Sequence, residues 1–295
     1  MIRPHHFYPN PQTQADNSFQ TAQLIATPEV IAKTAYQEIS QAQIILTSHG
    51  IKVHLFEDKG TETPDSVFPN NWFSTHSGGH IAIYPMYAQN RRLERRSDII
   101  EQLKINYRVQ DIVDYSGLEH DNIYLEGTGA MVLDHLDRVA YAVQSNRANS
   151  LALERFCTHF NYEPMLFDAS NQAGESVYHT NVLMCIASEF VLLAPEMISN
   201  SARRSEIIQR FKSSGRKVIA LTESQINKFC GNAIELQGSN GRVLALSKTA
   251  YKALTTEQKK LIKQSAQLVP IDVGTIELAG GSIRCMIAGI HLAAR

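Results

Sequence analysis

The sequence has almost no excess charge of either sign: 28 Lys and Arg stand against 29 Asp and Glu, a formal net charge of −1. Such a balance gives no field to steer a polyanion, which argues against nucleic acid and anionic membrane surfaces as partners. No apolar run approaches the roughly 20 residues that cross a bilayer. The first twenty residues are polar, with His5, His6 and several Asn and Gln, and contain no apolar core of a secretory leader, so a cytoplasmic location is expected.

Cysteine is scarce as well. Cys157, Cys185, Cys230 and Cys285 lie far apart with no CxxC pair, which argues against a zinc ribbon or a redox dithiol and for free thiols in a reducing compartment. Walker loops and HExxH are absent. Gly127-Thr128-Gly129 opens like a dinucleotide fingerprint but has no third glycine in register. Thr75-His76 and His80 have no carboxylate or thiol at a supporting spacing. Neither a metal nor a cofactor is expected. The basic run Arg91-Arg92-Leu93-Glu94-Arg95-Arg96 reads as a solvated helix face, or failing that a lid over a site.

What the chain does have is apolar residues, 43%, enough for a sizeable core in one domain spanning residues 1–295. It also has a repeat. Five segments share a turn with Asn, Gly or Pro, an apolar strand, a second strand, a helix and a closing strand. First strands are predicted at 67–73, 123–127, 178–183, 229–234 and 283–287, and second strands at 80–85, 138–143, 190–194 and 242–246. Helices follow over 92–103, 148–160, 202–212 and 256–266, with Ser201 and Thr255 as N-caps of the last two. Closing strands are expected at 109–113, 163–167, 217–221 and 267–271. The fifth unit is circularly split, with 23–26, a helix over 29–49 and 53–56 at one end of the chain and a strand over 283–292 at the other. Asn71, Glu126, His179, Asn232 and Cys285 mark the units at steps of 55, 53, 53 and 53 residues. A period that holds across five segments predicts a radial repeat: an α/β fold, a five-fold pseudosymmetric α/β propeller of ββαβ units.

Equivalent positions of such a ring converge on its axis. The five markers are polar or nucleophilic in apolar surroundings, which is costly unless they satisfy one another or a ligand. Cys285, His179 and Glu126 make a chemically coherent set. A thiol is only a few per cent thiolate at neutral pH; an imidazole can activate it and pass a proton to a leaving amine. A carboxylate can orient that imidazole or bind the N–H groups of a planar substrate. Gly280-Gly281 ahead of Cys285 gives an open approach for substrate.

Several segments resemble the guanidine-modifying superfamily, which includes arginine deiminase, dimethylarginine dimethylaminohydrolase, the amidinotransferases and succinylarginine dihydrolase. Gly280-Gly281-Ser282-Ile283-Arg284-Cys285-Met286 is similar to its catalytic-cysteine motif, Leu125-Glu126-Gly127 to its acidic turn and His179-Thr180-Asn181 to its histidine segment. Pro64-Asp65-Ser66-Val67-Phe68 resembles its substrate-binding strand entry, and 145–148 and 229–233 also resemble the family. Within the superfamily the chain is most similar to the citrulline-utilisation hydrolases. The resemblance implies that Cys285 attacks a planar carbon, that His179 protonates the leaving amine and then activates water, and that Glu126 and Asp65 hold substrate nitrogens. It also implies Arg147 for a substrate carboxylate, with Asn232 among the binding residues.

Asn70 and Asn71 stand where related enzymes carry acids, and Gly129 where they carry a second acid. Asn offers a donor and an acceptor, so the expected substrate is a ureido or guanidino amino acid, citrulline first. Amidino transfer, or hydrolysis of arginine or dimethylarginine, is the alternative; a non-catalytic binding module is the second. The expected partner is a small amino-acid substrate, with a homodimer left open by the residues.

Overall fold

The computed structural model describes residues 1–21 and 26–295, so all of the expected segment at 23–26 except Ala26 lies outside the described residues. Strands β1 (Ile2–Pro4) and β2 (Phe56–Asp58) pair in parallel on either side of the helix Pro28–Ser48. Four three-stranded sheets of one plan follow. They are β3 (Phe73–His76), β4 (His80–Ile83) and β5 (Asp111–Asp114); β6 (Met131–Asp134), β7 (Val139–Val143) and β8 (Glu163–Phe167); β9 (Met184–Ile186), β10 (Phe190–Leu193) and β11 (Lys217–Ala220); and β12 (Ile234–Gly238), β13 (Gly241–Ser247) and β14 (Gln267–Ile271). In each sheet the first two strands form an antiparallel hairpin, and the third lies parallel on the far side of the second. A parallel neighbour cannot be reached by a tight turn, so a helix bridges each gap. These are the predicted ββαβ units, and the molecule is an α/β propeller.

Local chemistry explains the elements. In Pro28–Ser48 the buried residues are Ile31, Ala35, Ile39, Ala42 and Leu46, one stripe at steps of three and four, with proline opening the first turn. The middle strands β7 and β10 are buried along their whole length, because neighbouring layers cover both faces. Thr255 caps Thr256–Ile262 through a reciprocal capping box with Gln258. The cap of Ser201–Ser213 is Asn200, one residue earlier than expected, its side chain accepting from the Arg203 N–H.

Two expectations change in a way that matters for the site. The inner strands begin later than predicted, because the polar residues ahead of them close tight turns before the ladder starts. The expected strand over 283–292 is not a strand: residues 282–287 fold into consecutive turns, with the Cys285 and Met286 N–H groups both donating to Ser282 O. This segment still closes the ring. The Arg284 N–H donates to Asn232 O on one side, while Thr75 Oγ1 donates to Gly289 O and accepts from the His291 N–H on the other.

Candidate active site

Each of the five units presents one turn closed by a hydrogen bond from its fourth residue to its first. The pairs are Asn71 to Phe68, Gly129 to Glu126, Val182 to His179, Asn232 to Phe229 and Cys285 to Ser282, with N···O distances of 3.2, 3.1, 3.3, 2.9 and 3.0 Å. The markers therefore occupy two registers rather than one. Glu126 and His179 hold the first position of their turns; Asn71, Asn232 and Cys285 hold the fourth. The near-constant step of 53 concealed this, because successive turns are themselves unevenly spaced.

The turns bring three groups together. His179 Nε2 lies 2.8 Å from Glu126 Oε2, and both side chains are buried. Glu126 Oε1 accepts from the Tyr87 N–H at 3.0 Å, while Arg91 and Arg147 approach Oε2 at 3.5 and 3.6 Å. Burial opposes the Glu126 charge, but Arg147, the His179 hydrogen bond and Arg91 outweigh it and hold the carboxyl well below its ordinary range. Burial pushes His179 down to about 4, although the bond to Glu126 works against this. An ionised Glu126 beside a neutral imidazole assigns the proton to Nε2. Nδ1 is left as a free acceptor, with Asn71 Nδ2 3.4 Å away.

Cys285 closes the last of the five turns. Its Sγ accepts from Asn181 Nδ2 at 3.3 Å and Asn232 Nδ2 at 3.2 Å. Two amide donors are thus aimed at one sulfur. The other three thiols lack such a setting, and burial pushes Cys157, Cys185 and Cys230 up to about 12, as expected of packing residues. Asn232 Oδ1 also accepts from the Ser282 and Arg284 N–H groups at 3.2 and 3.1 Å. Both ends of Asn232, expected to contact substrate, are thus engaged in holding the nucleophile turn.

Around this centre lies a buried charge cluster. Arg91 grips Glu94 at two points, 2.9 and 3.0 Å, and lies 3.6 Å from Asp65 Oδ2. Burial raises the Asp65 carboxyl despite Arg91 and a hydrogen bond from Asn10 at 2.9 Å, and its Oδ1 has no partner among the described residues. Arg147 forms a two-point contact with Asp16, Nε to Oδ2 at 3.0 Å, so its planar fork is already occupied. Both side-chain atoms of Asn70, and Oδ1 of Asn71, are buried without partners among the described residues. Such orphaned amide groups are expensive to keep dry.

The sequence reading missed several of these residues. Arg91 and Glu94 are buried, not on a solvated face; their i, i+3 opposite-charge spacing was the available signal. Arg92, Arg95 and Arg96 do pair at the periphery, with Glu119 and Asp98. Asn181 lay inside the histidine segment but was not singled out. Asn10 and Asp16 come from the N-terminal segment, which carried no motif. Gly280 and Gly281 do not leave open space: a Cβ at 281 would stand 2.7 Å from the Phe68 ring, and one at 280 would stand 2.5 Å from the Asn17 amide. No set of three or more His, Cys, Asp and Glu groups among the described residues is arranged to hold a metal.

Four ββαβ units and a two-stranded fifth, with a Glu, a His and a Cys on three of their turns, resemble the guanidine-modifying hydrolases. The model of the family described as N,N dimethylarginine dimethylhydrolase, eukaryotic, matches residues 3–292, and the chain belongs to that family. No curated protein matches it. Solved structures share the fold. One is the N-terminal domain of ArgZ, an arginine dihydrolase from the ornithine-ammonia cycle in Cyanobacteria, bound to substrate. It is 15% identical with a TM-score of 0.72, over 97% of this chain and 95% of that one. AgrE with L-arginine is 17% identical with a TM-score of 0.74, but the match covers only 39% of AgrE against 97% of this chain. A dimethylarginine dimethylaminohydrolase adduct with S-methyl-L-thiocitrulline is 14% identical with a TM-score of 0.63, over 97% and 96% of the two chains. The protein is a hydrolase of C–N bonds in guanidino compounds.

Proposed function

We propose that the substrate is a cationic guanidino amino acid, arginine or an N-substituted arginine, attacked at its guanidino carbon by Cys285. Charge balance carries this reading. Burial pushes the Glu94 carboxyl up to about 8, so at neutral pH the carboxylates of Asp16, Asp65 and Glu126 face Arg91 and Arg147, an excess of one. An incoming guanidinium would complete the pairing and give the unpartnered Asp65 Oδ1 the planar N–H donors it lacks. The family match and the arginine named for the solved neighbours support the same class.

In the proposed reaction the thiol proton passes to His179 as Cys285 Sγ forms a bond to the guanidino carbon. The C–N bond to the leaving amine breaks as His179 returns that proton to the departing nitrogen. The product of this step is a covalent thioether-type adduct of Cys285. Neutral again, His179 takes a proton from water, whose oxygen attacks the same carbon; the C–S bond then breaks and the cysteine is restored. Glu126 keeps the imidazole in the tautomer this requires. Asn181 and Asn232 position and polarise the sulfur, and Asp65 holds substrate nitrogens. Arg147 takes the substrate carboxylate in exchange for Asp16, the more exposed partner of the pair at 19% against 2%.

Citrulline is the second reading, favoured by the orphaned amides of Asn70 and Asn71, which could meet a ureido carbonyl and its nitrogens. The deciding experiment is rapid-quench intact mass spectrometry with arginine, asymmetric dimethylarginine and citrulline in parallel, with assay of the released amine. An adduct on Cys285 and turnover with a guanidino compound are expected. An adduct and turnover with citrulline alone would replace the first reading by the second, and no adduct with any of the three would overturn both.

A further inference from the structure

A cavity of about 490 Å³ is walled by the inner strands, the N-terminal unit and the C-terminal segment. None of Glu126, His179 and Cys285 lines it. Its wall is largely apolar, with Phe73, Leu133, Met184 and Ile186 among its residues, and its size falls within the roughly 300–1,000 Å³ of small-molecule sites. Its charged groups are Lys52, Glu235 and Arg284. Arg284, partly buried, stands at the third position of the nucleophile turn, and its guanidinium has one acceptor among the described residues, Ile287 O at 3.0 Å. No carboxylate among the described residues pairs with it: burial lowers its pKa, and the only groups that oppose this are Cys285 and Cys185.

Glu235 lines the same cavity; its Oε2 accepts from the Ser188 N–H at 2.9 Å and hydroxyl at 2.5 Å, while its Oε1 has no partner among the described residues. Beside Arg284 stand His135 and His291, ring centroids 4.3 Å apart, and Lys52 stands at the mouth. Burial and then Arg284 lower His291. A guanidinium drawn out of water is normally paired. Here Arg284 has no ion-pair partner among the described residues, and the cavity beside it is largely apolar.

We propose that this cavity is a second binding site, for a small organic carboxylate with an apolar body. The carboxylate pairs with Arg284, flanked by His135 and His291, and the body lies along Phe73, Leu133, Met184 and Ile186. The site is independent of the reaction at Cys285, so its test reads binding and not turnover.

The test is calorimetric titration of the full chain with hexanoate and, as the charge-reversed probe, hexylammonium. Hexanoate is expected to bind saturably at one site, and hexylammonium not to bind there. Arg284→Met should weaken hexanoate at least about tenfold, which is about 1.4 kcal/mol. Ile186→Trp, which narrows the cavity without touching the nucleophile turn, should do the same and covers the case in which the Arg284 variant fails to fold. Arg147→Met, on the catalytic side, should leave the affinity unchanged. Hexanoate binding lost with Arg147→Met but kept with Ile186→Trp would put the anion in the catalytic site and overturn the proposal. So would equal binding of both probes, or no saturable binding at all.

Discussion

His179 donates from Nε2 to Glu126 Oε2 across 2.8 Å, with neither side chain reached by solvent. The contact fixes which imidazole nitrogen carries the proton, and so which one faces the substrate. Replacing Glu126 by Gln keeps the shape but removes the charge that selects this tautomer and balances Arg91 and Arg147. Glu126→Gln is expected to lower kcat/KM by about 10²–10⁴-fold. Steady-state kinetics on folded protein checks this, and a loss under tenfold would remove Glu126 from the mechanism.

The same pair sets the acid limb. A base that is neutral down to about pH 4 should keep kcat/KM from falling through the ordinary histidine range near 6.5. Stability behaves differently. Between about 6.5 and 4 the unfolded chain binds a proton that folded His179 refuses, so His179 makes stability fall as pH drops through that window. Glu126, held low, adds to the loss at more acid pH. At the alkaline end folded Cys157, Cys185 and Cys230 keep protons that the unfolded chain releases from about pH 9, so stability declines again toward 12. Denaturant titrations across pH test both arms, and a flat profile from 6.5 to 4 would contradict the buried neutral imidazole.

Asn181 offers a cleaner handle on the nucleophile than Asn232, which also holds the turn. Asn181→Leu removes one donor to Sγ at 3.3 Å. Given about 1.5–3 kcal/mol for a hydrogen bond to a charged group, kcat/KM should fall roughly ten- to a hundredfold. Steady-state kinetics beside a thermal melt measures it. An unchanged kcat/KM would mean that the amide does not support the nucleophile.

The repeat was legible because it is written in apolar runs. Strands β8 and β14 begin and end as predicted, since each is a four-residue apolar run entered from a polar residue and stopped by an aspartate. The turns were harder. Val67–Phe73 and Tyr178–Leu183 look like strands by composition, yet a polar residue beside each closes a helical turn, which propensity does not anticipate. Glu126, His179 and Cys285 were singled out because a nucleophile, a base and an acid at near-equal spacing make chemical sense. Arg91 was not, because five neighbouring arginine and glutamate residues look alike until the fold buries two of them. Asp16 and Asn10 reach the site from more than fifty positions away in sequence, and no local pattern encodes that distance.

Asp16 is the prediction most open to surprise. Its carboxylate fills the Arg147 fork that the substrate carboxylate would need. Asp16→Asn weakens this solvent-reached ion pair, worth up to about 1 kcal/mol, so KM for arginine should fall roughly two- to fivefold with kcat little changed. If KM rises instead, Asp16 assists binding and Arg147 is not the carboxylate receptor.

Gly129 separates a catalytic from a structural role for His179. A Cβ there would stand 2.8 Å from His179 Nδ1 and 2.5 Å from Asn71 Nδ2, inside the space the reacting group must occupy. Gly274, which has open space around it and no left-handed φ, is the matched control. Gly129→Ala is expected to cut kcat/KM by about 10²-fold, the usual effect of misplacing a reacting group by an ångström, while Gly274→Ala leaves it intact. Thermal melts run beside the kinetics separate the two effects. A lowered Tm with full activity below the transition would show that the imidazole tolerates displacement, and His179 would then be a packing residue rather than the proton carrier.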